Sequence, residues 1–273
     1  MNDDQIRVFE KAAINLALRA GDIMQSACGQ NITIETKMNY TDLVTETDKQ
    51  VEKMLFDELE KQFPNHKFIG EETTSGKIQL TDDPTWIIDP IDGTLNFVHT
   101  FPYCCVSIGL LVNKEMTLGI IYSPFLNKMY TARKGKGAYC NGKPISTRPC
   151  SSIKSSLIIS EYGSQRFGPN REGYLKNIET FISECSGIRA LGSAALNLAA
   201  VAEGFADAYF EFGIHCWDVA AGALIVREAG GTVVDTTGGP FNLMSRRILA
   251  TGCTNIAQEC SKRLVAHLEF EED

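Results

Sequence analysis

The sequence predicts an α/β protein built from two unlike halves. Two amphipathic helices open the chain, at about residues 4–27 and 48–63. Short strands joined by tight turns follow between about residues 105 and 145, and beyond residue 151 strand-like and helix-like segments alternate. These three observations give an antiparallel meander flanked by two helices in residues 1–150 and an α/β half in residues 151–273. At 273 residues the chain can bury one large core or two packed halves.

In the first helix Ile6, Phe9, Ala13, Ile14, Ala17, Leu18 and Met24 recur at helical spacing, and Cys28 and Gly29 end the pattern. Residues 32–37 read as a short strand or extended loop. In the second helix Val51, Met54, Leu55, Leu59 and Phe63 form the buried stripe before Pro64. Thr47 and Gln50 have capping-box spacing, which places Asp48 at the first helical position, where the helix dipole favours its ionised form by roughly 0.3–1 kcal/mol. Residues 68–70 make a short apolar strand with Glu71 as the first acid after it. Residues 105–112 and 116–122 form a hairpin across Asn113-Lys114-Glu115, and Cys104 and Cys105 should face opposite sides. Residues 128–132 add a strand, and Asn141-Gly142 marks another tight hairpin.

The polar stretch at 151–156 divides the halves. Strands are expected at 157–160, 188–191, 208–211, 232–234 and 248–251, helices at 174–183, 194–201, 217–229 and 255–268, and an exposed loop at 162–171. Ser193 is the N-cap of the helix from Ala194; its first N–H groups could hold substrate oxygens, or the segment is simply a capped core helix. The helix from Trp217 is rich in small residues that permit close packing, and glycines close it at Gly230-Gly231. The last helix should bury Ile256, Leu264, Val265 and Leu268.

Hydrophobic content of 44% and charged content of 22% are ordinary for a globular enzyme. The net charge of −8 argues against non-specific nucleic-acid binding. An anionic substrate stays open, because bound divalent ions reverse the local field. Nine cysteines without a C-x-x-C pair make a reduced pattern rather than a disulfide framework. The acidic start lacks a signal-peptide core, and no apolar run approaches the roughly 20 residues of a membrane span. The expectation is a cytoplasmic protein without a membrane anchor.

Chemistry concentrates at residues 86–94. Trp86-Ile87-Ile88 reads as a buried strand that stops at Asp89, because Pro90 has no ladder donor. Asp92, Gly93 and Thr94 follow in the turn. Two carboxylates about 4 Å apart repel by roughly 4 kcal/mol at an effective dielectric near 20, so a cation belongs between them. Oxygen-only ligands point to Mg²⁺ rather than Zn²⁺. Glu71 also follows an apolar strand, and Asp218 lies in the first turn of a helix. Each acid alone also reads as a local turn or cap residue; the ordered set points to a multi-metal site that hydrolyses phosphate esters. An aspartyl-nucleophile phosphatase would need Asp-x-Asp-x-Thr; here the spacing is one residue longer, which favours direct attack by water. No nucleophile elbow or His-Glu-x-x-His motif is present, and His66, His99, His215 and His267 show no metal-ligand spacing.

Gly70-Glu71-Glu72, residues 86–94 and residues 217–231 resemble the three signature motifs of the inositol monophosphatase family, and the similarity extends over essentially the whole chain, including 42–48, 192–195 and 211–218. The resemblance implies a layered α/β/α/β/α sandwich, with an antiparallel meander sheet in the N-terminal half and a mixed sheet in the C-terminal half. It implies a homodimer, two or three Mg²⁺ ions and inhibition by lithium. Glu71, Asp89 and the Ile91 carbonyl would bind one ion, and Asp89, Asp92 and Asp218 a second. A third, weaker site would involve Glu71 and the neighbourhood of Asp48. Thr94 with Asp48 would orient and deprotonate the metal-activated water. Gly93 and Thr94 N–H groups would cradle phosphate, and Ala194, Glu211 and Asp218 would contact inositol hydroxyls. Lys37 stands where the family often has a basic residue. The implied reaction is hydrolysis of inositol monophosphates. The alternatives are a related phosphatase acting on a 3′-phosphonucleotide, a sugar bisphosphate or NADP, and a catalytically silent metal-binding scaffold.

Overall fold

A computed structural model describes residues 1–30, 34–36, 43–161 and 170–273. Lys37, Asp42 and most of the loop expected at 162–171 lie outside the described residues.

Helix α1 spans Asp3–Ala27 and starts in a capping box, in which Asn2 Oδ1 accepts the Gln5 N–H at 2.9 Å and Gln5 Oε1 accepts the Asn2 N–H at 3.0 Å. Ile6, Phe9, Ala13, Leu16, Ala17, Ala20 and Met24 are buried. Leu18 from the expected stripe is 43% exposed, because it is turned away from the row through positions 6, 9, 13, 17, 20 and 24. Helix α2 spans Glu46–Gln62, and its N-cap is Thr45, two residues before the expected Thr47. Asp48 therefore sits in the third helical position, where Oδ2 accepts the Thr45 N–H at 2.8 Å. Thr45-x-x-Asp48 has the same box spacing as Thr47-x-x-Gln50, and an acidic third residue adds the favourable dipole interaction.

A short antiparallel ribbon pairs β1 (Ile34–Thr36) with β2 (Leu43–Thr45). The larger sheet follows chain order: β3 (Lys67–Gly70), β4 (Thr85–Asp92), β5 (Cys105–Val112), β6 (Glu115–Ser123), β7 (Lys128–Arg133), β8 (Ala138–Cys140) and β9 (Lys143–Ile145). From β4 onward it is the expected meander, while β3 joins β4 in parallel. Asn113 and Lys114 at φ 53° and 61°, and Asn141 and Gly142 at φ 50° and 74°, give the left-handed turns that two-residue hairpins need. Strand β4 does not stop at Asp89. It runs on to Asp92 with a register shift between the two acids, and the missing Pro90 donor is accommodated in that irregularity.

The second sheet is mixed. Its order is β11 (Gly187–Arg189), β10 (Leu157–Ser160), β12 (Ala208–Phe212), β14 (Arg247–Thr251), β13 (Thr232–Val234), with the first three strands parallel. Helices α1 and α2 cover one face of the larger sheet, burying Phe9, Leu55, Trp86 and Ile108 together. A short helix α3 (Thr94–Val98) follows β4. Helices α5 (Ala194–Ala202) and α6 (Cys216–Glu228) lie between the sheets, and α4 (Asn170–Glu184) and α7 (Thr254–Arg263) cover the outer face of the second. The result is the α/β/α/β/α sandwich. Each large core side chain contributes roughly 1.5–3 kcal/mol by leaving water. Small residues bring α6 close to the larger sheet: a Cβ on Gly119 would lie 2.6 Å from the Ala221 carbonyl oxygen.

Helix α7 ends at Arg263, five residues before the expected Leu268. Leu264 and Leu268 are buried and Val265 is 61% exposed. The tail is extended there, and the Asn177 side chain on α4 accepts the Ala266 N–H and donates to its carbonyl.

Candidate metal and phosphate site

The parallel pairing of β3 with β4 places their C-terminal ends side by side. The Glu71 N–H donates to the Ile88 carbonyl at 3.3 Å, which sets Glu71 beside Asp89. Glu52 on α2 accepts the Glu72 N–H at 2.9 Å and holds the turn. Helix α6 crosses the same sheet with its N-terminus at this edge, and Asp218 enters from its first turn. Asp89, Asp92 and Asp218 each offer an oxygen within 4.8 Å of the others, the one such group of acids, histidines and cysteines among the described residues.

Electrostatics show the strain of that grouping. Burial, then the charges of Glu71, Asp92, Asp218 and Asp48, raise Asp89 well above the ordinary Asp range. Burial and Asp218 push Asp92 up to about 7, against the opposing bonds from Ser193, Ala195 and Ala194. Burial raises Asp218 to about 6; Glu71 adds to the rise and the bond from the His215 backbone N–H opposes it. A divalent cation would relieve all three, and an all-carboxylate donor set suits a hard ion such as Mg²⁺.

A hydroxyl stands beside the acids. Thr94 Oγ lies 3.2 Å from Asp48 Oδ1 and 3.0 Å from the Ile91 carbonyl oxygen, so one proton serves either acceptor. Asp48 is fully buried. Gly93 has φ 90°, and a Cβ there would stand 2.9 Å from the Gly192 carbonyl oxygen, so the turn requires glycine.

The start of α5 is used differently from expectation. The Ala194 and Ala195 N–H groups donate to Asp92 at 3.2 and 2.7 Å, and the Ser193 hydroxyl donates to the same carboxylate. The helix N-terminus thus holds a candidate ligand. Glu211, on β12, is buried and accepts the Tyr209 hydroxyl; burial, then Glu161, raise it strongly.

The structure therefore gathers Asp48, Glu71, Asp89, Ile91, Asp92, Gly93, Thr94, Ala194 and Asp218 around one sheet edge, and Glu211 is close enough to feel Asp92 and Asp218. Glu161 joins this region without having been expected there. Its Oε1 accepts the Leu191 and Gly192 N–H groups at 2.7 and 2.9 Å and the Asn197 amide at 2.8 Å, fixing the turn into α5. An acid ending the apolar run 157–160 was the available signal, the same signal that marked Glu71 and Asp89.

A five-layer sandwich whose sheet edge and helix starts converge on buried carboxylates defines a class of α/β proteins suited to divalent cations. The sequence model of the inositol monophosphatase family matches residues 5–272. Inositol monophosphatase 1 of Bos taurus is 50% identical over 255 residues, covering 92% of each chain. Inositol monophosphatase 2 of Mus musculus is 46% identical over 250 residues, covering 90% of this chain and 86% of that protein. The IMPase structure of Thermotoga maritima superposes with a TM-score of 0.84 at 34% identity, covering 96% of both chains. The suhB extragenic suppressor protein of Bartonella henselae gives 0.88 at 32% identity, covering 96% of this chain and all of that one. The chain belongs to the inositol monophosphatase family.

Proposed function

We propose that this protein hydrolyses inositol monophosphates to inositol and phosphate with the help of Mg²⁺. The carrying observation is the convergence of Asp89, Asp92 and Asp218 within 4.8 Å, with the Thr94–Asp48 pair beside them. Glu71, Asp89, the Ile91 carbonyl, Asp92 and Asp218 would hold two or three ions. Bound magnesium supplies positive charge to the phosphoryl group and acidifies water.

The remaining work falls to the chain's own groups. Thr94 gives its hydroxyl proton to Asp48, which leaves an oxygen lone pair to take a proton from the attacking water. Asp48 is held ready by the Thr45 N–H at 2.8 Å. The left-handed Gly93 turns the backbone N–H groups of Gly93 and Thr94 toward the phosphate. Glu211 and Asp218 accept ring hydroxyls, and Ala194 contacts the same ring. Residues 1–150 supply most metal ligands, and residues 151–273 supply Asp218 and the substrate contacts. The family resemblance also supports a cytoplasmic homodimer and displacement of a magnesium by lithium.

Phosphate release from inositol 1-phosphate, with and without Mg²⁺, tests the reading. The expected result is Mg²⁺-dependent release, with the highest kcat/KM on inositol monophosphates. A higher value on a 3′-phosphonucleotide, fructose 1,6-bisphosphate or NADP would reassign the substrate. Mg²⁺ binding without turnover on any of them would make the protein a scaffold.

A further inference from the structure

The far end of the chain returns to the helix start that carries Asp218. The Asp273 side chain is only 4% exposed. Its Oδ2 accepts the Cys216 N–H at 2.8 Å, at the first residue of α6, and its Oδ1 lies 2.6 Å from His215 Nδ1. Arg246 reaches the other ring nitrogen, with a terminal nitrogen 2.9 Å from His215 Nε2, and its Nε also lies 3.7 Å from Asp273 Oδ1. A guanidinium only donates, so Nε2 accepts, and the ring hydrogen sits on Nδ1, donated to Asp273. The His215 ring is thus held at both nitrogens, and it also stacks on Trp217 at 4.6 Å between centroids.

This arrangement reaches the metal site through one further bond. His215 is the N-cap of α6, and its backbone N–H donates to Asp218 Oδ2 at 2.6 Å. Arg246 takes a left-handed φ of 58°, disfavoured for a residue with a Cβ, and in that conformation donates to the Gly213 and Ile214 carbonyls as well. Its guanidinium lies over the Phe270 ring, and the Asp273 N–H donates to the Met244 carbonyl at 3.2 Å. Two distant segments, 213–218 and 270–273, are tied together at Arg246.

We infer that Asp273 is a positioning residue for metal binding: with Arg246 it clamps His215, and His215 in turn fixes the rotamer of Asp218. Partners one shell out from a metal ligand set its orientation, and losing one typically weakens metal affinity or activity about 10–100-fold. The inference rests on the reading of Asp218 as a metal ligand.

Calorimetric titration of Mg²⁺ into chelator-treated, full-length protein tests it, alongside Trp217 fluorescence and thermal melting. Asp273→Ala should bind Mg²⁺ about tenfold more weakly, with altered Trp217 emission, because the stacked imidazole is released. Asp273→Asn keeps an acceptor for the Cys216 N–H and should recover part of that loss; it also serves as the test variant if Asp273→Ala does not fold. Glu271→Ala, an exposed neighbour, should bind as wild type does. Unchanged Mg²⁺ affinity in both Asp273 variants, even with a lowered melting temperature, would overturn the inference and leave Asp273 a purely structural cap. A wild-type protein that takes up no Mg²⁺ would instead overturn the reading of the site itself.

Discussion

The Asp92 carboxylate accepts the Ala195 N–H at 2.7 Å across 103 residues of chain. One carboxylate therefore caps α5 and faces Asp89 and Asp218. Its position is set by the helix N-terminus, whose N–H groups and dipole favour an anion.

Asp92→Asn tests that double use. The amide keeps one acceptor oxygen but loses the charge a cation needs. Turnover of inositol 1-phosphate should fall about 100-fold or more, with Mg²⁺ affinity falling alongside. Far-UV circular dichroism should stay that of the wild type, because the cap keeps a partner. A rate within twofold of wild type would remove Asp92 from the ligand set.

Thr94 separates a hydroxyl role from a packing role. Thr94→Ala removes the bond to Asp48 at 3.2 Å. General-base assistance of this kind is worth about 10²–10⁴-fold, so kcat should drop by that order with KM little changed. Thr94→Ser keeps the oxygen and should retain most of the rate. Equal losses in both variants would show that the methyl group, rather than the proton path, matters.

The acid cluster sets a pH dependence for the metal-free protein. Asp92 and Asp218 titrate near 7 and 6 in the folded chain, above the value of 3.8 for an unperturbed Asp, and Asp89 is also raised. The folded state thus binds more protons than the unfolded state across that interval. Their contribution to stability is complete below about pH 4 and is lost as pH rises through the folded values. Chelator-treated protein should melt at a lower temperature at pH 8 than at pH 5. Mg²⁺ binds the ionised carboxylates, so its stabilising shift should be larger at pH 8. Differential scanning calorimetry at the two pH values decides it: a metal-free melting temperature that rises with pH contradicts the assignment.

Local pattern made much of this legible in advance. The stripe Val51, Leu55 and Leu59, the Asn141-Gly142 turn and the Ser193 cap are decided by neighbours within a few residues, so spacing alone reveals them. The same holds for the acids after apolar strands at Glu71 and Asp89. Boundaries with two locally equivalent solutions were less determinate. Thr45 and Thr47 both offer capping-box spacing, and burial of Asp48 beside Thr94 selects the first. Pro90 argues for a strand end, yet pairing with β5 resumes at Asp92 because the neighbouring strand continues.

The sequence by itself determined the α/β class, the succession of most helices and strands, and the residue types that carry the chemistry, since these follow from periodicity, capping and spacing along the chain. Only the tertiary structure decided which acids share one space, that the α5 terminus holds Asp92, that Glu161 fixes the turn before it, and that Asp273 returns to α6. The hydrogen bonds among those relations join residues from 30 to 103 positions apart, and no local pattern encodes a distance that exists only once the layers are packed.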